Sequence, residues 1–317
     1  MIGIEKVREA RERISTAVRR TPLLRAERLD APLGCEVWLK PENLQITGSF
    51  KVRGAMNKIL SMSPDERARG VIAASSGNHA QGVAYAARAL GIKAVVVMPV
   101  HAPLTKVEGA KALGAEVVLC GTTGAERYAK LYELKALHGY SVVHSYDDPE
   151  LIAGQGTAGL ETAEDLPLAD TVVVPLGGGG LLAGVALAIK ESSPRRVRVV
   201  GVEPKGIARY TASRAAGRPV EVETGATLAD GLMIAKPGEH TWPLIEKYVD
   251  EVATVSDESI KRAMSEVVFK AKLLVEPSAV VGVAAVLEGT VKVNRGERVC
   301  FLLSGGNIDS GKLKELS

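Results

Sequence analysis

The chain has 317 residues, 46% of them hydrophobic and 24% charged, which suits a folded protein with a sizeable core and excludes a disordered one. Forty basic against thirty-seven acidic residues leave +3, so charge gives no reason to expect a nucleic acid or an anionic membrane as partner. Cys35, Cys120 and Cys300 lie far apart with no CxxC pair, which argues against a disulfide framework or a zinc site.

Taken along the chain, the first residues turn charged at Glu5 and Lys6, unlike a signal peptide, and open a helical period over Ile4–Val18. Glu36–Lys40 is the first strand-like run. Val71–Ala74 then leads into a helix over His79–Leu90, Ala94–Met98 into Leu104–Leu113, and Glu116–Cys120 into Gly124–Leu137. Thr171–Pro175 leads into Leu181–Ile189, and strands at Val197–Glu203 and Val252–Val255 precede helical stretches at Asp257–Lys272 and Ser278–Leu287. Val299–Leu303 is the last strand. Gly91, Gly114 and Gly139 fall where helices should stop. Several strands are apolar almost throughout, as strands buried on both faces of a parallel sheet are. The alternation predicts an α/β fold with helices on both faces of the sheet. The apolar runs, such as Ala94–Val100, are too short to span a bilayer, and the expectation is a reduced, cytoplasmic enzyme. No repeat, low-complexity tract or long linker marks a domain boundary.

Four small-residue clusters stand where an open α/β sheet places its ligands. They are Thr47-Gly48-Ser49-Phe50-Lys51, Ser75-Ser76-Gly77-Asn78-His79, Gly177-Gly178-Gly179-Gly180-Leu181 and Ser304-Gly305-Gly306-Asn307. Four glycines between a strand and a helix are either a flexible turn or an anion nest strengthened by the helix dipole, with phosphate the natural guest. The cluster lacks the Lys-Ser/Thr ending of a P-loop and the GxGxxG spacing of a dinucleotide site. Lys51 is either a solvated charge or, beside Gly48, Ser49 and Phe50, an amine in a partly desolvated cleft that reacts with aldehydes. The Ser75–His79 turn is either a plain N-cap or a site for an amino-acid carboxylate or a phenolate oxygen. A phosphate nest together with a cleft lysine suggests pyridoxal phosphate held as a Schiff base.

The run Lys40-Pro-Glu-Asn-Leu-Gln-Ile-Thr-Gly-Ser-Phe-Lys51-Val-Arg-Gly-Ala resembles the lysine signature of the serine/threonine dehydratase and serine racemase family. These are pyridoxal phosphate enzymes of the type II, tryptophan-synthase-β-like fold. The other three clusters match that family's motifs in order, and the likeness runs from Thr21-Pro22-Leu23 to Asp309. It implies two open twisted-sheet α/β domains. Residues 1–60 and 149–317 would form the larger, cofactor-binding one, and residues 61–148 a smaller one closing over the substrate. Lys51 would carry the cofactor and act as one base. Phe50 would pack on the pyridine ring, Asn78 would reach its 3-oxygen, Gly177, Gly178, Gly179, Gly180 and Leu181 would hold the phosphate, and Ser304 would meet the ring nitrogen. Ser76 would be a base on the opposite face of the substrate. Ser75, Asn78 and His79 would bind the substrate carboxylate, with Arg127 and Glu276 as further site candidates.

The resemblance implies elimination of water from L-threonine or L-serine, giving a 2-oxo acid and ammonia. The alternative is a serine racemase with dehydratase side activity. A non-catalytic amino-acid-binding protein is a more distant reading, against which Lys51 stands, since binding alone needs no reactive amine. Racemases of the family bind a divalent metal through a Glu, a carbonyl and an Asp. Here Glu203 is kept but Arg209 stands where the Asp would be, and Ala26, Glu27 and Ile46 replace residues of their ATP site. Neither metal nor ATP is therefore expected. Arg127 and His144 fall where the racemases carry an Arg and a His. The chain stops at Ser317, soon after the last motif, so a short catabolic or racemase-like form is expected, as a homodimer acting on small amino acids.

Overall fold

The computed structural model describes residues 1–309, Gly311 and Leu313. Its strands are β1 Leu24–Arg25, β2 Glu36–Pro41, β3 Val71–Ala74, β4 Ala94–Met98, β5 Glu116–Leu119, β6 Ser141–Val142, β7 Thr171–Pro175, β8 Arg198–Pro204, β9 Glu251–Val255 and β10 Arg298–Leu303. They form a six-stranded sheet in the order β1-β2-β10-β7-β8-β9 and a four-stranded sheet in the order β5-β4-β3-β6. Every pair is parallel except β1 with β2. All the strand-like runs of the sequence become strands. Only β1 and β6 go unforeseen, because two residues carry no period.

The burial explains the apolar strands. Val299, Phe301 and Leu303 of β10 face one core with Val173 and Val281, while Cys300 and Leu302 face another with Val172, Val185 and Ile152. Alternate side chains thus enter opposite layers and none meets water. The four-stranded sheet repeats this with Val71, Ala73, Val96 and Met98 on one face and Ile72, Val95 and Val97 on the other. Gly91, Gly114 and Gly139 all have left-handed backbone at φ 67°, 89° and 72°, the helix-ending role read from the sequence.

One expectation is corrected in the C-terminal half. The helical period over Asp257–Lys272 is an α-helix only over Asp257–Glu266; Val267–Ala271 form a π turn and Lys272 ends it at φ 60°. Apolar spacing does not distinguish a continued α-helix from a widened turn. No helix among the described residues is long and apolar enough to cross a membrane.

The helix Lys51–Leu60 decides where the chemistry sits. Its Ala55, Met56 and Ile59 belong to the core of the four-stranded sheet. The segment just before it is tied to the end of β10 by the Phe50 N–H donating to the Ser304 carbonyl at 3.1 Å and by a bridge between Ser49 and Gly305. Lys51, the first residue of this helix, therefore stands between the two sheets.

Candidate active site

The four clusters converge at the carboxyl ends of β3, β7 and β10. The Lys51 amine donates to the Ser145 carbonyl at 2.6 Å and lies 5.1 Å from the Phe50 ring centroid. Burial pushes it down to about 8, against a smaller upward pull from Glu276, so the neutral amine is far more populated near neutral pH than in an ordinary lysine. Gly82 permits this arrangement. A Cβ there would meet the Lys51 and Val52 backbone at 3.1 Å, so any larger residue would push the helix Asn78–Ala89 back from the lysine by a few tenths of an ångström.

Behind Lys51, the loop is fixed by buried charge. Arg53 and Glu42 are fully buried, and Arg53 donates to Glu42 from Nε at 2.7 Å and to Glu161 from Nη1 at 2.7 Å. Lys40 completes the cluster, donating to Glu161 at 2.6 Å and to the Thr21 carbonyl at 2.7 Å. Two cations and two carboxylates cancel, and each finds hydrogen-bond partners, the condition for burying charge at tolerable cost. Burial would push the Glu42 carboxyl up, but the Arg53 guanidinium, with the Thr21 hydroxyl and the Lys40 ammonium, outweighs it and holds Glu42 below its usual range.

Asn78 and Glu276, remote in sequence, meet directly. The Asn78 amide donates to Glu276 Oε1 at 2.8 Å and Oε2 at 3.0 Å, and its Oδ1 accepts from Asn307 at 2.8 Å. Asn307 also donates to the Thr47 carbonyl at 2.8 Å and to Gln81 at 3.2 Å. Burial pushes the Glu276 carboxyl up to about 7, so it is partly protonated at neutral pH. Ser304 is buried, and a Cβ on the adjacent Gly305 would fall 2.8 Å from Glu276 Oε1. Ser75, Ser76 and Gly77 line the turn after β3. Ser75 Oγ accepts from the Gly77 N–H at 3.2 Å, Ser76 is partly exposed, and a Cβ on Gly77 would meet nothing within 4 Å.

Three candidate side chains are directed elsewhere. The His79 ring points into the core, its Nε2 2.9 Å from the Val143 carbonyl, and burial pushes its pKa down to about 3. The ring is turned away from the open turn, so a carboxylate contact from His79 comes through its backbone N–H. Arg127 donates to the Thr123 carbonyl of its own helix end at 3.3 Å and is not brought to the other site residues. Glu203 has its oxygens taken by the Tyr210 N–H at 3.1 Å and by the Thr211 N–H and hydroxyl, each at 2.8 Å, so its carboxylate already serves the fold. His144, noted beside Arg127, accepts from the Asp147 N–H at 2.8 Å and packs edge-on to Tyr146 at 4.8 Å.

The glycine turn is held from behind. The Gly177 carbonyl accepts from Arg209 Nε at 3.0 Å and Nη2 at 2.6 Å, and the Leu176 carbonyl also accepts from Nη2. The Gly178 carbonyl accepts from the Tyr210 hydroxyl at 3.0 Å and the Thr241 hydroxyl at 2.9 Å. Gly179 is left-handed at φ 96°, and a Cβ on it would fall 2.2 Å from Tyr210 Oη. A Cβ on Gly178 would fall 2.2 Å from Cγ of Tyr146, whose ring lies across the turn. Sequence reasoning missed Tyr146, Tyr210, Thr241 and the Ser145 carbonyl, none of which sits in a glycine- or serine-rich run.

Pyridoxal phosphate fits these residues. The turn opens the 13-residue helix Gly180–Ser192 with no side chains of its own up to Leu181, and its carbonyls are engaged from behind, which suits a phosphate dianion at the N–H groups. Thr47 Oγ1 and Ser49 Oγ, just before Lys51, are buried without a hydrogen-bond partner among the described residues. An amine of lowered pKa completes an aldehyde site.

A two-sheet α/β protein with a half-buried amine between the sheets and a glycine turn opening a helix defines a cofactor-dependent enzyme class, and comparison with known proteins agrees. The family model "Pyridoxal-phosphate dependent enzyme" matches residues 14–305, so the chain belongs to that family. L-threonine ammonia-lyase of Thermotoga maritima is 47% identical over 310 residues, 98% of this chain and 76% of that one. The catabolic L-threonine dehydratase of Escherichia coli K12 is 38% identical over 317 residues, 100% of this chain and 96% of its own. The structure of maize serine racemase superposes with a TM-score of 0.94 at 38% identity, covering 99% of this chain and 96% of that one.

Proposed function

We propose that this protein is a pyridoxal-phosphate-dependent ammonia-lyase that converts L-threonine and L-serine to 2-oxo acids and ammonia. The observation that carries this reading is the Lys51 amine, lowered to about 8 and donating to the Ser145 carbonyl, one residue before Tyr146, whose ring lies on the glycine turn. The names of the relatives above support the substrate class.

Lys51 and the Gly177–Leu181 turn would hold the cofactor, with Phe50, Asn78 and Ser304 around its ring. When bound, the cofactor supplies an electron sink for the charge left at the substrate Cα. Everything else is done by this chain. The N–H groups at the start of the helix Asn78–Ala89, with the Ser75 hydroxyl, hold the substrate carboxylate against the helix dipole. Lys51 Nζ takes the Cα proton of the L-substrate, water leaves from Cβ, and the released enamine hydrolyses to the 2-oxo acid and ammonia. A serine at position 304, unlike an aspartate, does not hold a proton on the ring nitrogen, which favours fast elimination over a persistent carbanion.

Residues 61–148 would move as a unit over the substrate. In support, these residues carry the whole four-stranded sheet, and a Cβ on Gly77 would meet nothing within 4 Å. No divalent metal would be required, since Glu203 is engaged and Arg209 stands beside it.

Serine racemisation is the second reading, favoured by the partly exposed Ser76 in the substrate turn and by the likeness to the maize racemase. Measuring 2-oxo acid and D-serine side by side from one L-serine reaction decides. Excess 2-oxo acid is the expected result, and excess D-serine would make the racemase the main activity.

A further inference from the structure

Arg209 is buried at 0% exposure yet makes its hydrogen bonds to backbone rather than to a carboxylate. Its guanidinium donates to the carbonyls of Leu176 and Gly177 in the glycine turn and, from Nη1 at 2.7 Å, to the carbonyl of Ile207. Glu203 Oε2 is the nearest acid at 3.7 Å from Nη1, and that carboxylate is already committed to Tyr210 and Thr211. Tyr210 and Thr241 do for Gly178 what Arg209 does for its neighbours, but without charge.

A buried cation bound to peptide carbonyls polarises those peptide groups. Each C=O drawn toward the guanidinium leaves the N–H of the same peptide unit more positive on the opposite side. The units here are those of the turn that opens the helix Gly180–Ser192. The low dielectric around Arg209 and its rigid fork strengthen and orient this effect.

We propose that Arg209 is a positioning residue that builds the phosphate affinity of the Gly177–Leu181 turn, orienting its peptides and setting a fixed positive charge behind them. The proposal rests on the cofactor reading above and extends it to a residue that touches no cofactor atom. It is specific to the phosphate: the rest of the pyridoxal ring is held by Lys51, Asn78 and Ser304, which Arg209 does not contact.

The test uses cofactor-free wild type, Arg209→Lys and Arg209→Met, titrated with pyridoxal phosphate and with pyridoxal by absorbance. Inorganic phosphate is added separately while the thermal midpoint is read. In Arg209→Met the affinity for pyridoxal phosphate should fall by at least ~10-fold, the scale of a lost charge-assisted interaction, with pyridoxal affinity little changed. The rise in thermal midpoint with inorganic phosphate should be lost as well. Arg209→Lys, keeping charge without the fork, should fall between. Equal weakening of both ligands would reduce Arg209 to a structural role and overturn the proposal, as would a phosphate-to-pyridoxal preference equal to wild type. If Arg209→Met does not fold, the preference in Arg209→Lys decides, and wild-type preference there overturns it. Wild type that fails to bind pyridoxal phosphate at all would instead break the cofactor reading.

Discussion

Two strand-to-helix turns, each at the carboxyl end of a parallel strand, have opposite characters here. The turn after β7 is buried, its carbonyls taken by Arg209, Tyr210 and Thr241, with Tyr146 across its face. The turn after β3 is partly exposed, with its hydroxyls at a cleft and open space beside Gly77. Both present helix N-terminal N–H groups, so local structure alone would make them equivalent anion sites. What surrounds them separates a fixed cradle, suited to a group that stays, from an accessible edge, suited to substrates that come and go.

Removing the lysine between the two sheets should have the largest effect. Lys51→Ala should abolish the violet absorbance of the cofactor-loaded protein and lower elimination by at least ~10³-fold, read from spectra and 2-oxo acid formation. A protein that stays yellow and active would show that another amine does the work.

Ser76 tests the open turn as chemistry rather than binding. Ser76→Ala should remove racemisation and cut elimination from D-serine by ~10²-fold, the scale of a lost positioned base, while L-threonine elimination partly survives. KM for L-substrates should change little. Equal rises in KM for both enantiomers, with an unchanged turnover ratio, would make Ser76 a binding residue.

An added methyl group probes the contrast directly. Gly178→Ala should destabilise by ~1–3 kcal/mol through its clash with the Tyr146 ring, and weaken cofactor binding. Gly77→Ala, with free space, should fold within ~0.5 kcal/mol of wild type but raise KM. Denaturant titration beside steady-state kinetics separates the two, and similar stability losses would erase the distinction drawn between the turns.

Glu276 gives a pH signature of the groove between the turns. Its carboxyl is raised from 4.5 to about 7 in the folded protein, so that stabilisation is complete below pH 4.5 and is lost as pH rises through about 7. Glu276→Gln should therefore flatten the stability of the cofactor-free protein over that window, with a gain of up to ~3 kcal/mol above pH 8. A parallel pH dependence in both proteins would refute the assignment. The smallest effect is expected from chelation or added ATP, which should leave elimination unchanged. A loss with chelator that magnesium restores would show a cation site that Glu203 and Arg209 do not form.

The sequence by itself determined the alternation of strands and helices, because strands buried on both faces must be apolar throughout and helix ends need left-handed glycine. It also marked the small-residue clusters around Lys51, Asn78, Gly177 and Ser304, since composition and spacing are local features. Tertiary structure alone decided which groups meet. Glu276 reaches Asn78 across 198 positions, and no local period encodes that. It turned His79 into the core and left Arg127 on its own helix end, because a side chain's direction depends on what its element packs against. It also made Arg209 part of the glycine turn. In the sequence this arginine is only a missing carboxylate; in the fold its burial and three backbone carbonyls give it a place behind the cofactor site, since a buried guanidinium must satisfy its donors wherever acceptors are packed around it.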